Sequence, residues 1–165
     1  MAAGKTYTPI ARTVLSSAAA SVTFSSISGS YTDLVLITNV KTITADNNSI
    51  ALRFNDDTGS NYSYTIIYGN GSTVTTGRES NVTNAQVGRI SNAVWCPSVT
   101  FINNYSNTTT CKNVLSRINS SDEIVGAFIN LWRSTSAVTK ITLTSNAGGD
   151  FAIDSTFTLY GILAA

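Results

Sequence analysis

The chain is divided into short runs rich in β-branched and aromatic residues, separated by clusters of Gly, Asn, Asp and Ser. About ten such runs follow one another at the spacing of antiparallel strands, and no helix-friendly stretch is long enough to form a stable helix. The runs are residues 21–27, 33–43, 48–54, 62–69, 85–90, 95–105, 111–118, 123–133, 139–145 and 155–163. The pattern predicts an all-β fold of about ten antiparallel strands, a β-sandwich or a barrel rather than βαβ units.

Alternating hydrophobicity supports this prediction. In the run 48–54, Ile50, Leu52 and Phe54 alternate with smaller or polar residues, which indicates one buried and one wet face. The runs 33–43 and 123–133 are apolar on both faces. In the second run, one face carries Val125, Ala127, Ile129 and Leu131, and the other carries Phe128 and Trp132. A strand of this kind is either central and covered within the domain, which we expect, or lies under another subunit.

A length of 165 residues suits one domain. Residues 1–12 are polar and aperiodic, and we interpret them as an extended N-terminal arm that precedes a single β-sandwich domain at residues 13–165. If the runs on either side of SNTTT pair as a hairpin, Cys96 and Cys111 lie too far apart to bond. We therefore predict free thiols, with Pro97 at a strand start or on an edge strand because proline donates no ladder hydrogen bond.

Charged residues make up only 12% of the chain, and the net charge is +1. Lys and Arg are scattered, so no basic stripe suits a nucleic-acid backbone. No apolar run approaches the ~20 residues of a membrane helix, and the N-terminus lacks the apolar block of a signal peptide. We expect neither nucleic-acid binding nor membrane insertion, and no secretion by that route.

The chain contains no histidine, which removes the usual general base and most transition-metal sites. The adjacent acids Asp56-Asp57 and Asp122-Glu123 point to opposite faces if each pair lies in a strand, so neither pair converges by itself. Two-carboxylate hydrolysis would need acids from different strands, to which Asp150 and Asp154 would be contributors. No sequence rule requires that arrangement, and we expect no enzyme activity, no catalytic residues and no cofactor.

The segment from Asn55 to Asn61 is rich in side-chain oxygens around Gly59. Asp56 and Asp57 are its candidate ligands for a weakly held cation. The glycine is misplaced for an EF-hand loop, since counting back to the first ligand position reaches Phe54. A polar turn, with Gly59 free to take positive φ, is the favoured interpretation.

Aromatic residues offer two further alternatives. Tyr62, Tyr64 and Tyr68 share one strand face, which caps a β-core more often than it stacks on a sugar. Trp95 and Trp132 are each an exposed sugar platform or, more commonly, a packed core or interface residue.

Five phrases, in order, resemble a family of small tailed-phage virion proteins that is frequent in cyanophages. They are YTPIARTVLSSAAASVTFSSISGSYTDLVLI, RFNDDTGSNYSYTIIYGNGS, FINNYSNTTTCKNVLSR, LWRSTSAVTKITL and STFTLYGILAA. The resemblance implies a jelly-roll-like β-sandwich, with the glycines of YGNGS and TLYGI relieving a tight turn or a close strand approach.

The resemblance also implies a structural role on the virion exterior, after synthesis and assembly in the host cytoplasm. We expect a capsid decoration (cement) protein that binds the major capsid protein as a homo-oligomer, a trimer suiting three-fold positions of the shell. The contact residues would be Tyr7, Pro9, Ile10 and Arg12. The alternative is a stand-alone tail or tail-fibre component that contacts tail proteins or a host surface glycan.

Overall fold

The structure, a computed structural model, describes residues 6–44, 48–121 and 124–163. All regular elements in these ranges are strands. In chain order they are β1 (Tyr7–Val14), β2 (Ser21–Phe24), β3 (Asp33–Val40), β4 (Asn48–Phe54), β5 (Tyr62–Gly69), β6 (Val74–Val82), β7 (Ala85–Ile90), β8 (Cys96–Ile102), β9 (Lys112–Asn119), β10 (Val125–Trp132), β11 (Ile141–Ser145) and β12 (Thr156–Ile162). No helix in the described part of the chain is long and apolar enough to cross a membrane.

The strands form two antiparallel sheets. The large sheet has eight strands in the order β1-β12-β3-β8-β9-β10-β5-β6, and the small sheet has four in the order β2-β11-β4-β7. The chain passes from one sheet to the other at each step from β2 to β5 and again from β10 to β12, which gives a jelly-roll-like sandwich. The predicted fold class is therefore confirmed, with twelve described strands instead of about ten.

All ten predicted runs contain a strand, and the two additional strands are the outermost strands of the large sheet. β6 was missed because its sequence, VTTGRESNV, has no apolar alternation and is solvent-exposed along most of its length. β1 corrects the interpretation of residues 1–12 as an arm: Tyr7 to Val14 pair with β12 across the proposed boundary at residue 12. Residues 1–5 lie outside the described residues.

Both outer edges of the large sheet are irregular. The pairing of β1 with β12 shifts register between Pro9 and Ala11. The pairing of β6 with β5 shifts at Tyr62 and Ser63, opposite Asn81, whose φ is 61°. Such bulges bend the strand locally and interrupt its row of free backbone groups.

The core lies between the two sheets and follows the predicted alternation. Ile50, Leu52 and Phe54 of β4 are fully buried, as are Ile141 and Leu143 of β11. Their removal from water supplies the main driving force for folding, at about 25 cal/mol for each Å² of apolar surface. Sheet packing alone therefore accounts for why these short strands stay together.

The cysteines, Pro97 and two glycines lie in positions that agree with the sequence-based predictions. Cys96 is buried and Cys111 is exposed, and no disulfide joins them in the described part of the chain. Pro97 is the second residue of β8, consistent with a strand start. Gly71 has a φ of 85° in the turn after β5, and a Cβ on Gly161 would lie 2.3 Å from the Tyr31 ring. The two phrases singled out for their glycines thus contain a turn and a close approach, respectively.

Candidate functional site

The Asp56-Asp57 segment connects neighbouring strands through side-chain hydrogen bonds. The Asp57 carboxylate accepts hydrogen bonds from Trp132 Nε1 at 2.6 Å, Asn61 Nδ2 at 2.9 Å and the Gly59 amide at 2.8 Å. Burial of Asp57 opposes ionisation, but these three donors outweigh it and lower the pKa of the carboxyl below its usual value. Asp57 therefore connects the β4–β5 turn to the core through Trp132.

Asp56 points to a different partner. Its carboxylate contacts Lys140 Nζ at 2.6 Å, while Asn55 accepts hydrogen bonds from the amides of Thr139 and Lys140. The two carboxylates thus have separate sets of partners, and no group of three metal-ligating side chains occurs among the described residues. The polar-turn interpretation is supported over a cation site.

One detail of that interpretation is corrected. Gly59 does not have positive φ; Asn55 and Asp56 do, at 50° and 58°. Short polar side chains tolerate this left-handed conformation because they form local hydrogen bonds. The Asp122-Glu123 pair lies outside the described residues.

The hydrogen bonds to Asp57 make the free energy of unfolding depend on pH in the acidic range. Because its folded pKa lies below the value in the unfolded chain, ionised Asp57 stabilises the fold above about pH 4 and loses this effect as pH falls through the folded pKa. We expect the free energy of unfolding, measured by urea titration between pH 7 and pH 2.5, to decline below about pH 4. Asp57→Asn should flatten that decline, and Asp154→Asn, the same exchange at an exposed carboxylate, is the matched control.

A distinctive surface is the outer face of the large sheet, meaning the side turned away from the small sheet. Two rows of side chains cross it in register. In the first, Val35 pairs with Phe101, Phe101 with Leu115, and Leu115 with Ile129. The second row contains Ile37, Val99, Arg117, Ala127 and Ile67. Both rows are apolar except for Arg117.

Much of this outer face is open to solvent. Six of its apolar residues have between 38% and 62% of their surface exposed: Ile37, Ile67, Leu115, Val125, Ile129 and Leu131. The expectation that the run 123–133 is covered on both faces within the domain is therefore wrong for the described residues. Phe128 and Trp132 face the core, whereas the opposite side of β10 is uncovered.

The solvent-facing side of the small sheet, in contrast, carries polar residues. Its outward positions include Ser21, Thr23, Thr142 and Thr144, and the hydroxyls of Thr23 and Thr142 lie 3.4 Å apart. A sheet exposed on one side normally carries polar residues there. The apolar outer face of the large sheet departs from that rule, and extended apolar patches of this kind mark interaction surfaces.

Three of the four residues predicted to make contacts adjoin the outer face. Tyr7 is 51% exposed and its ring contacts the outward-facing Tyr160, with centroids 6.2 Å apart. Pro9 and Arg12 are exposed on the same strand. Ile10 is different because it is partly buried and packs against the core beside the bulge.

A groove lies at one end of the outer face, beside the loop that precedes β8. It has a volume of about 750 Å³. Trp95, an exposed side chain, lines it together with the apolar Ile37, Val99 and Val125. Of the two tryptophans, Trp95 is thus available to a ligand, whereas Trp132 is a core residue.

The tyrosines of β5 pack against the core, which is the commoner of the two alternatives given for them. Tyr62 lies in the core, and Tyr64 and Phe128 form an edge-to-face pair at 6.4 Å. Burial raises the pKa of Tyr64, and its hydrogen bond to Glu79 raises the pKa further. These rings cap one end of the buried interior.

Two further clefts lie beside β5 and β6, and Tyr64 and Glu79 line both of them. No two carboxylates meet in either cleft or in the Trp95 groove. Glu79 is the one acid that lines a described cleft, beside Tyr64 and Gln86. Asp150 and Asp154 line none of the described clefts. Hydrolysis of a glycoside by paired carboxylates would require a second acid facing Glu79.

No protein-family profile matches the chain, and no curated protein matches it. Among solved structures, one similar chain is a mutant of the alginate lyase Aly36B in complex with alginate tetrasaccharide, at 9% identity and a TM-score of 0.32, covering 82% of this chain and 72% of that chain. Another is a native heptameric SAP-like pentraxin from Limulus polyphemus, at 10% identity and a TM-score of 0.23, covering 98% and 92%. Both TM-scores are below 0.5, and the fold described above follows from the strand pairing alone.

Proposed function

We propose that this chain is a non-enzymatic structural protein of a tailed-phage virion, a decoration protein that binds the head shell as a homotrimer. The proposal extends the family resemblance of the sequence to a specific surface. The interaction surface is the outer face of the large sheet, bordered by Tyr7 at one edge. Its partners are copies of the same chain and the major capsid protein.

The observation that carries the proposal is the uncovered apolar character of that face. Six adjacent strands, from β12 to β5, contribute to it, and five spacings of about 4.8 Å give a width of about 24 Å. Solvent-exposed apolar area of this extent is unfavourable in an isolated protein and favourable once a partner excludes water. A chain that works by attachment to neighbours requires such a surface.

The composition is consistent with this role. Only 12% of residues are charged, so few charges lose their hydration when the face is covered. The cores of protein interfaces are likewise depleted of charged residues. Arg117 is the single charged side chain within the two rows, and it also lines the Trp95 groove.

Two substitutions on the face test the oligomer. We expect the wild-type chain to have three times its 17.4 kDa mass by light scattering, and Leu115→Thr/Ile129→Thr to have the mass of one chain. Threonine keeps the strand propensity and removes apolar contact area. Ile153→Thr is the matched control, because Ile153 is equally exposed but lies in the loop before β12.

The virion role is tested on particles of the phage that encodes the chain. Mass spectrometry should detect it in purified virions at a copy number comparable with that of the major capsid protein. A number far below that would place it on the tail instead. Its absence from virions, or a wild-type chain that stays monomeric and does not bind the shell, would contradict the proposal.

A further inference from the structure

The groove beside Trp95 has features of a ligand site that go beyond an apolar contact surface. Its volume of about 750 Å³ is within the range of small-molecule sites, roughly 300–1,000 Å³. It is shared between the ends of β3, β8, β9 and β10, and the first row of the outer face, including Leu115 and Ile129, does not line it. The groove and the apolar row are therefore separable by mutation.

Trp95 is held in place by the loop that carries it. Ser121 Oγ donates a hydrogen bond to the Trp95 carbonyl oxygen at 3.0 Å. Ser91 Oγ accepts hydrogen bonds from the amides of Ala93 and Val94, at 3.1 and 3.4 Å. Such a fixed loop presents the indole without a large loss of conformational entropy on binding.

Polar side chains around the groove have unused hydrogen-bonding capacity. Asn39, Arg117 and Asn119 line it, and within the described part of the chain none of their side chains has a hydrogen-bond or ion-pair partner. Asn39 and Asn119 lie on strands on either side of β8, about 10 Å apart at two strand spacings. Amide donors and acceptors thus flank a floor made by Pro97 and Val99.

This combination matches one class of ligand. The C–H face of a pyranose ring packs on an indole, and its hydroxyls pair with amide side chains that both donate and accept. Arg117 is the only charged residue that lines the groove in the described structure, and its planar guanidinium binds a carboxylate through two parallel hydrogen bonds. Charge complementarity therefore favours a sugar that carries a carboxylate.

We propose that the Trp95 groove binds an acidic pyranose residue, of the uronic-acid type, within a carbohydrate chain. Trp95 stacks on the ring, Arg117 pairs with the carboxylate, and Asn39 and Asn119 bind hydroxyls. The site does not require the proposed virion role. It shares Ile37, Val99 and Arg117 with the second row of the outer face, whereas the first row lies outside it.

Calorimetry with the purified chain tests the site, with an oligouronate tetrasaccharide and a neutral gluco-oligosaccharide as the two probes. We expect the wild-type chain to bind the oligouronate more tightly than the neutral probe. Trp95→Ala should weaken oligouronate binding at least about tenfold, as expected for an aromatic anchor. Arg117→Ala should weaken oligouronate binding about tenfold and leave the neutral probe unchanged.

Two control variants make the result specific. Arg78→Ala removes an exposed arginine that lines a different cleft, and it should not change binding. Leu115→Thr/Ile129→Thr should bind the oligouronate like the wild-type chain, so failure of the trimer and failure of the sugar site are distinguishable. Circular dichroism confirms that each variant is folded.

Three outcomes would overturn the proposal. The first is no binding of either probe by the wild-type chain at millimolar concentration. The second is binding that survives both Trp95→Ala and Arg117→Ala. The third is a preference for the neutral probe, which would remove the role of Arg117.

Discussion

Replacing Trp132 by alanine is expected to lower the free energy of unfolding by about 3–5 kcal/mol, the usual cost of removing a buried tryptophan. Trp132 is 2% exposed, and its ring centroid lies 5.2 Å from that of Phe54 and 6.2 Å from that of Tyr62. The substitution leaves a cavity between these rings and also removes the 2.6 Å hydrogen bond to Asp57. Urea unfolding at pH 7, followed by far-UV circular dichroism, measures the loss.

Two further variants separate the contribution of the buried Trp132 ring from that of its indole hydrogen bond. Trp132→Phe keeps an aromatic ring but removes the indole donor, so it should lose about 1.5–3 kcal/mol, the range for a hydrogen bond to a charged group. Trp95→Ala truncates the more exposed tryptophan, which is 36% accessible, and should lower stability by clearly less than Trp132→Ala. A Trp132→Ala chain as stable as Trp132→Phe would show that the ring stack contributes nothing.

Replacing Asn130 by alanine is expected to cost about 2–4 kcal/mol, because it leaves two backbone groups without a partner. Asn130 is buried on the inner face of β10, where its Nδ2 donates to the Gln86 carbonyl and its Oδ1 accepts from the Gln86 amide, both at 2.8 Å. Gln86 lies on β7, an edge strand of the small sheet. One amide side chain therefore connects the two sheets in the manner of a strand pair.

Hydrogen exchange provides a local measurement of the same effect. The Gln86 amide should exchange faster in Asn130→Ala than in the wild-type chain. Asn113→Ala is the matched control, since Asn113 is an exposed amide on the neighbouring strand β9 whose side chain accepts a hydrogen bond from the Asn103 side chain. Unchanged exchange at Gln86 in Asn130→Ala would rule out the connection between the sheets.

Periodicity predicted most of the fold because most strands have one buried face. The alternation of Ile50, Leu52 and Phe54 is a direct consequence of that burial. β6 gives no such signal, since its outer edge position leaves Arg78 and Glu79 in solvent. β1 was hidden by Pro9 and by the bulge beside it, which interrupt the pattern of a regular strand.

The site was less predictable from sequence. The apolar face of Val125, Ala127, Ile129 and Leu131 was recognised, but not that it points outward. The deciding contact is Asn130, a polar residue that faces inward because Gln86, 44 positions away, satisfies it. The Asp57–Trp132 bond joins residues 75 positions apart, which no local pattern reveals.

The two irregular rims of the large sheet restrict how molecules of this protein can join. At one rim Pro9 has no amide hydrogen to donate to a further strand. At the other rim Asn81, with positive φ, bends the strand near the charged residues Arg78 and Glu79. A further strand cannot add smoothly at either rim, so edge-to-edge growth into an open-ended filament is disfavoured. Any association is then directed to the broad side of the sheet, where contact area rather than strand pairing sets the size of the assembly.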